Sequence, residues 1–258
     1  MKKKFEDILT KTPNHDYYEE LDKIDKKEFI KTVHNRRSVR VFSDSPINPN
    51  DLNECLELAL LAPTSSNLQC WEFYWIQDKE KKSKLKSYCL GQSAATTAQE
   101  LIVCVARIDT WKKNKDHIID HLNRNKLTPK SALKYYEKIV PLVYSQGFMG
   151  LVGFLKKIMI HFIGMFKVIP REPCSVSDMR VWAHKTTALA CENLMLAVRA
   201  YGYDSCPMEG MDSKRIKKML NLPKSAEVCM VVSVGKRAEN GVYGKRYRID
   251  SNNFIKIV

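Results

Sequence analysis

Two clusters of basic residues, about 200 positions apart, contain the side chains with the clearest chemical capability. The first places three arginines and a serine between Arg36 and Arg40, and the second is the run Lys245-Arg246-Tyr247-Arg248. Arginine's planar guanidinium group forms bidentate hydrogen bonds with phosphate, and an adjacent serine hydroxyl can add another. The arginine cluster alone is more typical of a solvated basic turn, since short motifs match by chance. Together the two clusters favour a phosphate-bearing ligand.

Two further stretches offer hydrogen-bonding groups to such a ligand. Residues 62–71 (Ala-Pro-Thr-Ser-Ser-Asn-Leu-Gln-Cys-Trp) place hydroxyls and amides after a helix stop and before a strand, although helix-to-strand loops often have this composition. Residues 207–212 (Pro-Met-Glu-Gly-Met-Asp) place a glycine just before a predicted helix, where free backbone N–H groups point outward. With the basic clusters, these stretches suit a ligand that carries one phosphate and a polar heteroaromatic ring.

The order of these motifs resembles the nitroreductase family of FMN-dependent oxidoreductases. Arg-Arg-Ser-Val-Arg-Val-Phe at 36–42 is similar to the family's amino-terminal flavin motif, and residues 62–71 are similar to its A-P-S-x-x-N-x-Q-x-W loop. Residues 202–210 resemble its G-x-x-x-x-P-x-x-G turn. Val-Val-Ser-Val-Gly-Lys at 231–236, with the basic tail after it, resembles the last core strand and the phosphate-binding end. The resemblance covers about residues 30–110 and 175–258.

The resemblance implies bound FMN, with NADH or NADPH as co-substrate, and a role for each matching residue. Arg36 and Ser38 would hold the phosphate and ribityl chain. Arg40 would lie near the pyrimidine edge, where positive charge stabilises reduced flavin. The other predicted cofactor-binding residues are Arg246 and Arg248 at the phosphate, Pro63, Thr64, Ser65 and Asn67 from the partner subunit, the backbone of Glu209 and Gly210 at N5 and O4, Gln92 at the pyrimidine carbonyls, and Arg37, for which a structural or solvent-facing role is the alternative.

Regular elements are predicted around these motifs. Asn48 and Pro49 indicate the start of a helix that Pro63 ends, and Gly202 is placed to terminate a long helix over about 177–201. The remaining predictions are a helix over 29–33, a strand over 71–77, a basic helix over 78–88, buried strands over 101–106 and 228–234, helical character around 132–139, and a short helix capped by Asp212. The fold implied is α+β: a central, mostly antiparallel sheet flanked by helices, in an intertwined homodimer.

Residues 111–170 match nothing in the resemblance, and the part from about 139 to 170 is an apolar excursion. Its apolar residues repeat at helical spacing between Phe148 and Phe166, but Lys156, Lys157, His161 and Lys167 interrupt it. A helix that covers a pocket or a subunit interface is one interpretation, and a membrane-surface helix is the other. We expect residues 1–28 to form a basic arm or helix and residues 29–258 to form one FMN-binding domain that contains this apolar excursion.

Composition restricts the class of protein further. The chain has 258 residues, a net charge of +14 and eight cysteines without a C-x-x-C pair, so a zinc site is not expected. No secretory signal is evident, and we expect a cytoplasmic protein.

The predicted function is ping-pong transfer of two electrons from NAD(P)H to a nitroaromatic, quinone or similar acceptor, with no protein acid or base. The alternatives are a flavin reductase or specialised reductase on the same scaffold, or a basic membrane-surface or nucleic-acid-binding protein.

Overall fold

An antiparallel sheet of four strands forms the centre of the chain in the computed structural model, which describes residues 18–124 and 130–258. The strands are β1 (Trp71–Trp75), β2 (Glu100–Arg107), β3 (Asp204–Met208) and β4 (Ala226–Gly235). Their spatial order is β1-β2-β4-β3, and every neighbouring pair is antiparallel. Helices cover both faces of the sheet, so the predicted α+β class is confirmed.

The helices vary from single turns to one of 25 residues. In chain order they are α1 (Lys26–Asn35), α2 (Pro49–Ala59), α3 (Lys79–Tyr88), α4 (Ser93–Thr96), α5 (Trp111–Arg124), α6 (Lys130–Lys134), α7 (Val140–Tyr144), α8 (Leu151–Ile163), α9 (Val176–Ala200) and α10 (Ser213–Met219). Short 3₁₀ turns lie at Ser65–Asn67, Phe148–Gly150 and Ser251–Asn253, and a π-helical turn at Tyr135–Ile139 joins α6 to α7.

The core consists of two apolar layers, one on each face of the sheet. Because side chains alternate along a strand, Leu101 and Val103 of β2 enter one layer and Ile102 enters the other. α2 and α9 cover the Ile102 side, through Leu52 and Leu194 among others, and α3, α4 and α10 cover the opposite side. The apolar run of β2 is buried throughout, as predicted for a strand covered on both faces.

Capping residues fix the ends of the helices beside the site. The Asn48 side chain accepts a hydrogen bond from the Asn50 N–H at 3.1 Å, with Pro49 in the first turn of α2. Asp212 accepts from the Arg215 N–H at 3.0 Å and starts α10. Gly202 follows α9 with a φ of +86°, a conformation that glycine adopts without strain. The sequence predictions for these three ends are confirmed.

Two elements escaped sequence reasoning. β3 contains Asp204 and Pro207, which are uncommon in strands, and Pro207 is tolerated because β3 is the last strand of the four-stranded sheet. α5 is largely polar, and its buried side rests mainly on Trp111. The apolar pattern over 148–166 also differs from a single helix, since the helical segment proper is α8 and a 3₁₀ turn precedes it.

The amino-terminal region is described only in part. Residues 1–17, on which most of the predicted arm falls, lie outside the described residues. Asp25 caps α1 through the Lys27 N–H, and this helix contains the predicted helix over 29–33. Within the described ranges, no single helix is long and apolar enough to cross a membrane. The bent pair of helical segments Lys130–Tyr144 and Phe148–Ile163, with 68° between its halves, is long and apolar enough to cross one, judged by length and composition alone.

Candidate functional site

The two basic clusters meet in one cleft of about 190 Å³. Its walls are Arg36, Arg37 and Ser38 on one side and residues 245–248 on the other. Two hydrogen bonds join the walls: the Arg37 guanidinium donates to the Gly244 carbonyl at 2.6 Å, and the Arg246 guanidinium donates to the Arg36 carbonyl. Chain segments more than 200 residues apart therefore form a single cationic surface.

Electrostatics in this cleft favour an anion. Burial, and then the positive charges of Arg37, Arg248 and Arg36, lower the pKa of Arg246. Glu192 on α9 offsets part of this charge, since its carboxylate oxygen lies 3.4 Å from the Arg36 Nε. Like charges held this close destabilise one another, and a phosphate between them would relieve the repulsion while accepting several charge-assisted hydrogen bonds.

The sheet positions the first cluster. Ser38 pairs in parallel with Ser205 of β3, and the Val39 N–H donates to the Ser205 carbonyl at 3.1 Å. Val39 is buried whereas Ser38 and Arg40 are exposed, because successive side chains of an extended segment alternate. The Arg40 N–H donates to the Gly241 carbonyl at 2.7 Å. The segment thus forms an additional short strand with its polar side chains outward.

The backbone at Arg40 lies next to β3, because the N–H of the preceding residue Val39 donates to the Ser205 carbonyl. The charge of Arg40 opposes the burial that raises the pKa of Cys206 on this strand. A turn at Glu209 and Gly210 follows β3. At the turn, the Gln92 side-chain amide donates to the Gly210 carbonyl at 2.8 Å. The backbone N–H groups of Glu209 and Gly210 have no acceptor among the residues that the structure describes. Gln92, Glu209 and Gly210, all predicted from the sequence, are therefore neighbours.

Glycine at 210 keeps this turn open. A Cβ added there would lie 3.3 Å from the Gln92 side-chain nitrogen, so any other residue would press on the amide that holds the turn. Because Ser205 lies beside Ser38, the turn can be at most about 16 Å from the cleft along the strand direction, at 3.3 Å per residue. The cleft, Arg40 and the turn together form one polar track along β3.

The predicted loop over Pro63–Asn67 occupies a different part of the chain. Its Ser65 and Ser66 hydroxyls bond to Tyr144 at 2.9 and 3.2 Å, and Ser66 also bonds to Tyr135 at 2.7 Å. Ser66 and Asn67 have φ angles of +54° and +50°, which are strained for residues other than glycine. The tyrosine hydroxyls offset this strain and hold the loop in shape.

α9 separates this loop from the basic cleft. Ala62, at the start of the loop, packs against Ala190, whereas Arg36 pairs with Glu192. Residues 190 and 192 are two positions apart, which is about 200° of rotation around a helix, so the two contacts are on opposite sides of α9. Among residues 18–124 and 130–258, no hydrogen bond or ion pair joins the loop to the cleft. In one chain the loop and the cleft are therefore separate.

A second cleft, of about 780 Å³, opens beside the loop. Asn67 and Gln69 line one side, and His117 and His121 of α5 line the other. The Asn114 side chain donates to the Leu68 carbonyl at 2.8 Å, which fixes α5 to the loop. α5, which was not predicted from the sequence, thus contributes one wall of the cleft beside the Pro63–Asn67 loop.

Several residues that support the cleft and the loop were not found from the sequence. Glu192 and Gly241 support the arginine cluster, and Tyr135 and Tyr144 support the loop. Each contacts a residue more than 60 positions away, so only the tertiary fold reveals the contact. The one sequence signal is the concentration of tyrosine at 135, 136 and 144.

Comparison with known proteins gives a consistent result. A model of the nitroreductase family matches residues 33–138 and 168–236. Protein DrgA of Synechocystis sp. is 29% identical over 215 residues, covering 83% of this chain and 86% of that protein. MhqN of Bacillus subtilis, provisionally named as an NAD(P)H nitroreductase, is 27% identical over 230 residues, covering 89% and 98%. A structure from Exiguobacterium sibiricum, solved in complex with FMN, aligns with a TM-score of 0.66 at 24% identity, covering 92% of this chain and 99% of that one.

Proposed function

The chain belongs to the nitroreductase family, and on that premise we propose that it binds FMN and transfers two electrons from NADH or NADPH to a nitroaromatic, a quinone or a similar acceptor. The observation that carries the proposal is the cleft in which residues 36–38 meet residues 245–248. It offers guanidinium groups and a hydroxyl to one phosphate. A relative of the same fold is solved with FMN bound, which supports the choice of flavin.

The residues present fit this cofactor. Arg36, Ser38, Arg246 and Arg248 hold the phosphate end, and Arg37 braces the cleft through the Gly244 carbonyl. Further along β3, the free N–H groups of Glu209 and Gly210 donate to polar atoms of the ring, with Gln92 fixing the turn. Bound FMN supplies the hydride chemistry. Arg40 supplies positive charge beside the ring, which favours the reduced form.

No protein acid or base is assigned to the reaction. Donor and acceptor use the same open face in turn, so the kinetics are ping-pong. In stopped flow, NAD(P)H reduces the flavin before any acceptor is added. An absolute requirement for bound acceptor during that step contradicts this order. A panel of nitroaromatics, quinones and free flavin, assayed with both nicotinamides, separates the general reductase from a dedicated flavin reductase on the same scaffold.

The complete site is shared between two copies of the chain. Pro63, Thr64, Ser65 and Asn67 of one copy face the cleft of the other, which unites half-sites that α9 keeps apart in a single chain. Apolar residues of α9 that are exposed, Val181 and Leu189 among them, form part of the interface, and the exposed tail after Gly244 wraps the partner. With all eight cysteines present as free thiols, a cytoplasmic location completes the proposal.

Cofactor identity is the direct test of the proposed function. The purified protein is heated or acidified, and the released flavin is separated by chromatography. We expect FMN at close to one per chain, since a single cationic cleft serves one phosphate. Recovery of FAD, or no flavin even after incubation with excess FMN, contradicts the proposal.

Complementation tests the shared site. Arg40→Ala and Asn67→Ala variants are each expected to have low activity. When the two are unfolded, mixed and refolded together, a heterodimer regains one site with both residues intact, so activity returns. Each variant refolded alone is the control. Failure to regain activity in heterodimers isolated with two different affinity tags contradicts the shared site.

A further inference from the structure

α8 is an amphipathic helix whose apolar face points away from the chain. At 100° per residue, seven apolar side chains occupy an arc of roughly 160° on its outer side. All seven are exposed, from 42% for Val152 to 62% for Leu151; the others are Phe154, Leu155, Ile158, Met159 and Phe162. A helix at the surface of a water-soluble protein turns this face inward. Here the arrangement is reversed.

The inward side of α8 fixes this orientation. Lys156 is buried, and its ammonium group donates to the carbonyls of Val143 at 2.8 Å, Leu142 at 3.3 Å and Pro173 at 3.4 Å. Gly153 is buried beside it, where a Cβ would lie 2.5 Å from the Cys174 carbonyl oxygen. Rotation of the helix would break three hydrogen bonds and force a backbone clash. The outer apolar face is therefore held in place.

The apolar surface continues beyond both ends of the helix. Phe148 and Met149 precede it at 87% and 89% exposure, and Phe166 follows it at 85%. Large contiguous apolar surfaces of this kind mark interaction sites. Aromatic and sulfur-containing side chains of this type also insert readily among lipid acyl chains.

Charge identifies the partner. From Lys138 to Arg171 the chain has no Asp or Glu, and it has five basic residues, which also include Lys156, Lys157 and Lys167. Lys157 and His161 are exposed along one edge of the apolar arc. We propose that α8 and its flanking turns dock on an anionic lipid surface, with the apolar arc among the acyl chains and Lys157 and Lys167 at the headgroups.

A second copy of the chain is a poorer occupant for this face. In a two-fold interface with this patch at the axis, the patch would meet itself, and the basic edges of the two copies would be brought together without an acidic residue between them. A membrane-spanning role is also excluded for α8 alone. Its 13 residues reach about 20 Å, short of the ~30 Å hydrocarbon core. Docking in the interfacial plane accounts for both the length and the charge.

Vesicle flotation with the full-length, flavin-loaded protein tests the proposal. We expect binding to phosphatidylcholine vesicles that contain phosphatidylglycerol, and little binding to phosphatidylcholine alone. Phe154→Gln combined with Phe162→Gln lowers the partition coefficient by about 100-fold or more, because two buried phenyl groups are lost. Lys157→Gln combined with Lys167→Gln lowers it by roughly 30-fold at physiological salt. Leu21→Gln combined with Ile24→Gln, at exposed positions outside the patch, leaves it unchanged.

The other outcomes overturn the inference. Absence of wild-type binding to anionic vesicles refutes it, and so does equal binding by the phenylalanine variant once retained flavin shows that the variant is folded. Sedimentation without lipid measures the assembly size and so tests whether a second copy of the chain covers the apolar face. If the phenylalanine variant forms a smaller assembly than wild type, another copy covers the face. Equal assembly sizes with lost vesicle binding support lipid docking. None of these measurements uses an electron acceptor, so they stand apart from the proposed reaction.

Discussion

α2 and α8 are amphipathic helices of 11 and 13 residues with opposite orientations. In α2, Leu52, Cys55 and Ala59 are buried against the sheet, and acidic and amide side chains face outward. In α8, a lysine and a glycine face inward, and the apolar side chains face outward. The spacing of apolar residues defines such a face in both helices, but spacing alone does not say which way the face points.

The two helices also differ in their place within the family. α2 lies in the part of the chain that the family model covers, whereas that model's two matched stretches leave out residues 139–167, which contain α8. The covered part buries its apolar residues to build a core and a cationic cleft. The segment outside it exposes its apolar residues. We infer that the matched part supports the proposed reaction and that the segment over 139–167 determines where the reaction takes place.

Inward-facing cations show the same contrast. His184 on α9 bonds to the Glu227 carboxylate at 3.0 Å, and a hydrogen bond from its ring to Cys229, together with this carboxylate, raises its pKa. Lys156 on α8 meets backbone carbonyls instead, and burial lowers its pKa. His184 is thus matched with a carboxylate, whereas Lys156 is held by backbone carbonyls and fixes α8 in place.

Matched leucine truncations give the largest expected difference between the two helices. Leu52 is 1% exposed and Leu155 is 57% exposed. Leu52→Ala is expected to lower the free energy of unfolding by about 2–5 kcal/mol, because it leaves a cavity under the sheet. Leu155→Ala should change it by no more than about 0.5 kcal/mol. Urea unfolding at one protein concentration with excess FMN measures both. A comparable loss at Leu155 would show that its side chain is covered in solution without lipid.

The second largest expected difference is the effect on FMN affinity of replacing a basic residue in each region. Arg246→Ala removes a charge-assisted partner of the phosphate and should weaken FMN binding by about 1.5–3 kcal/mol, or roughly tenfold to 150-fold. Lys157→Ala, on the edge of α8, should leave FMN affinity unchanged. Fluorescence titration of flavin-free protein gives both dissociation constants. Arg246→Lys is the conservative control, with an intermediate loss because lysine lacks the bidentate fork.

Arg40→Ala tests whether a basic residue beside the flavin ring has a different role from one at the phosphate. The same titration gives its FMN affinity. This variant should retain FMN and be reduced more slowly by NAD(P)H. If it loses FMN as Arg246→Ala does, yet has normal activity at saturating FMN, the role assigned to Arg40 is wrong.

The smallest expected effects are two pH dependences of opposite sign. His184 has a raised pKa, so its stabilisation is present below pH 6.5 and is lost as the pH rises through the folded-state pKa. The deficit of His184→Asn should therefore shrink as the pH rises; it stays below about 1 kcal/mol because solvent screens the half-exposed pair. Lys156 has a lowered pKa, so its burial penalty fades as the pH rises toward 10.5. Relative to Lys156→Met, wild type should gain stability with pH. Urea midpoints across pH measure both, and parallel slopes would contradict the contrast.

Sequence reasoning succeeded where local physical chemistry decides the structure. Asn48 and Pro49 start a helix through contacts within a few residues, and the run from Leu101 to Ala106 reads as a strand in any context. It failed at β3, because Pro207 disfavours a strand in general but is tolerated in a strand at the edge of a sheet. For the site, the two basic clusters were evident, but the tyrosine hydroxyls that hold the Pro63–Asn67 loop depend on contacts across about 70–80 residues. Whether the apolar face of α8 points inward or outward depends on which of its residues pack against the chain, and the periodicity of apolar residues does not give that.

The closure of the basic cleft also bears on how the protein is made. Arg37 and Arg246 reach carbonyls 207 and 210 positions away along the chain. Synthesis proceeds from the amino terminus, at about 5–20 residues per second, so the first wall leaves the ribosome well before the second is translated. A nascent chain that stops short of Arg246 can bury the sheet and α9 yet has only half of the cationic surface. Under the proposed function, FMN binding therefore follows translation of the second wall of the cleft.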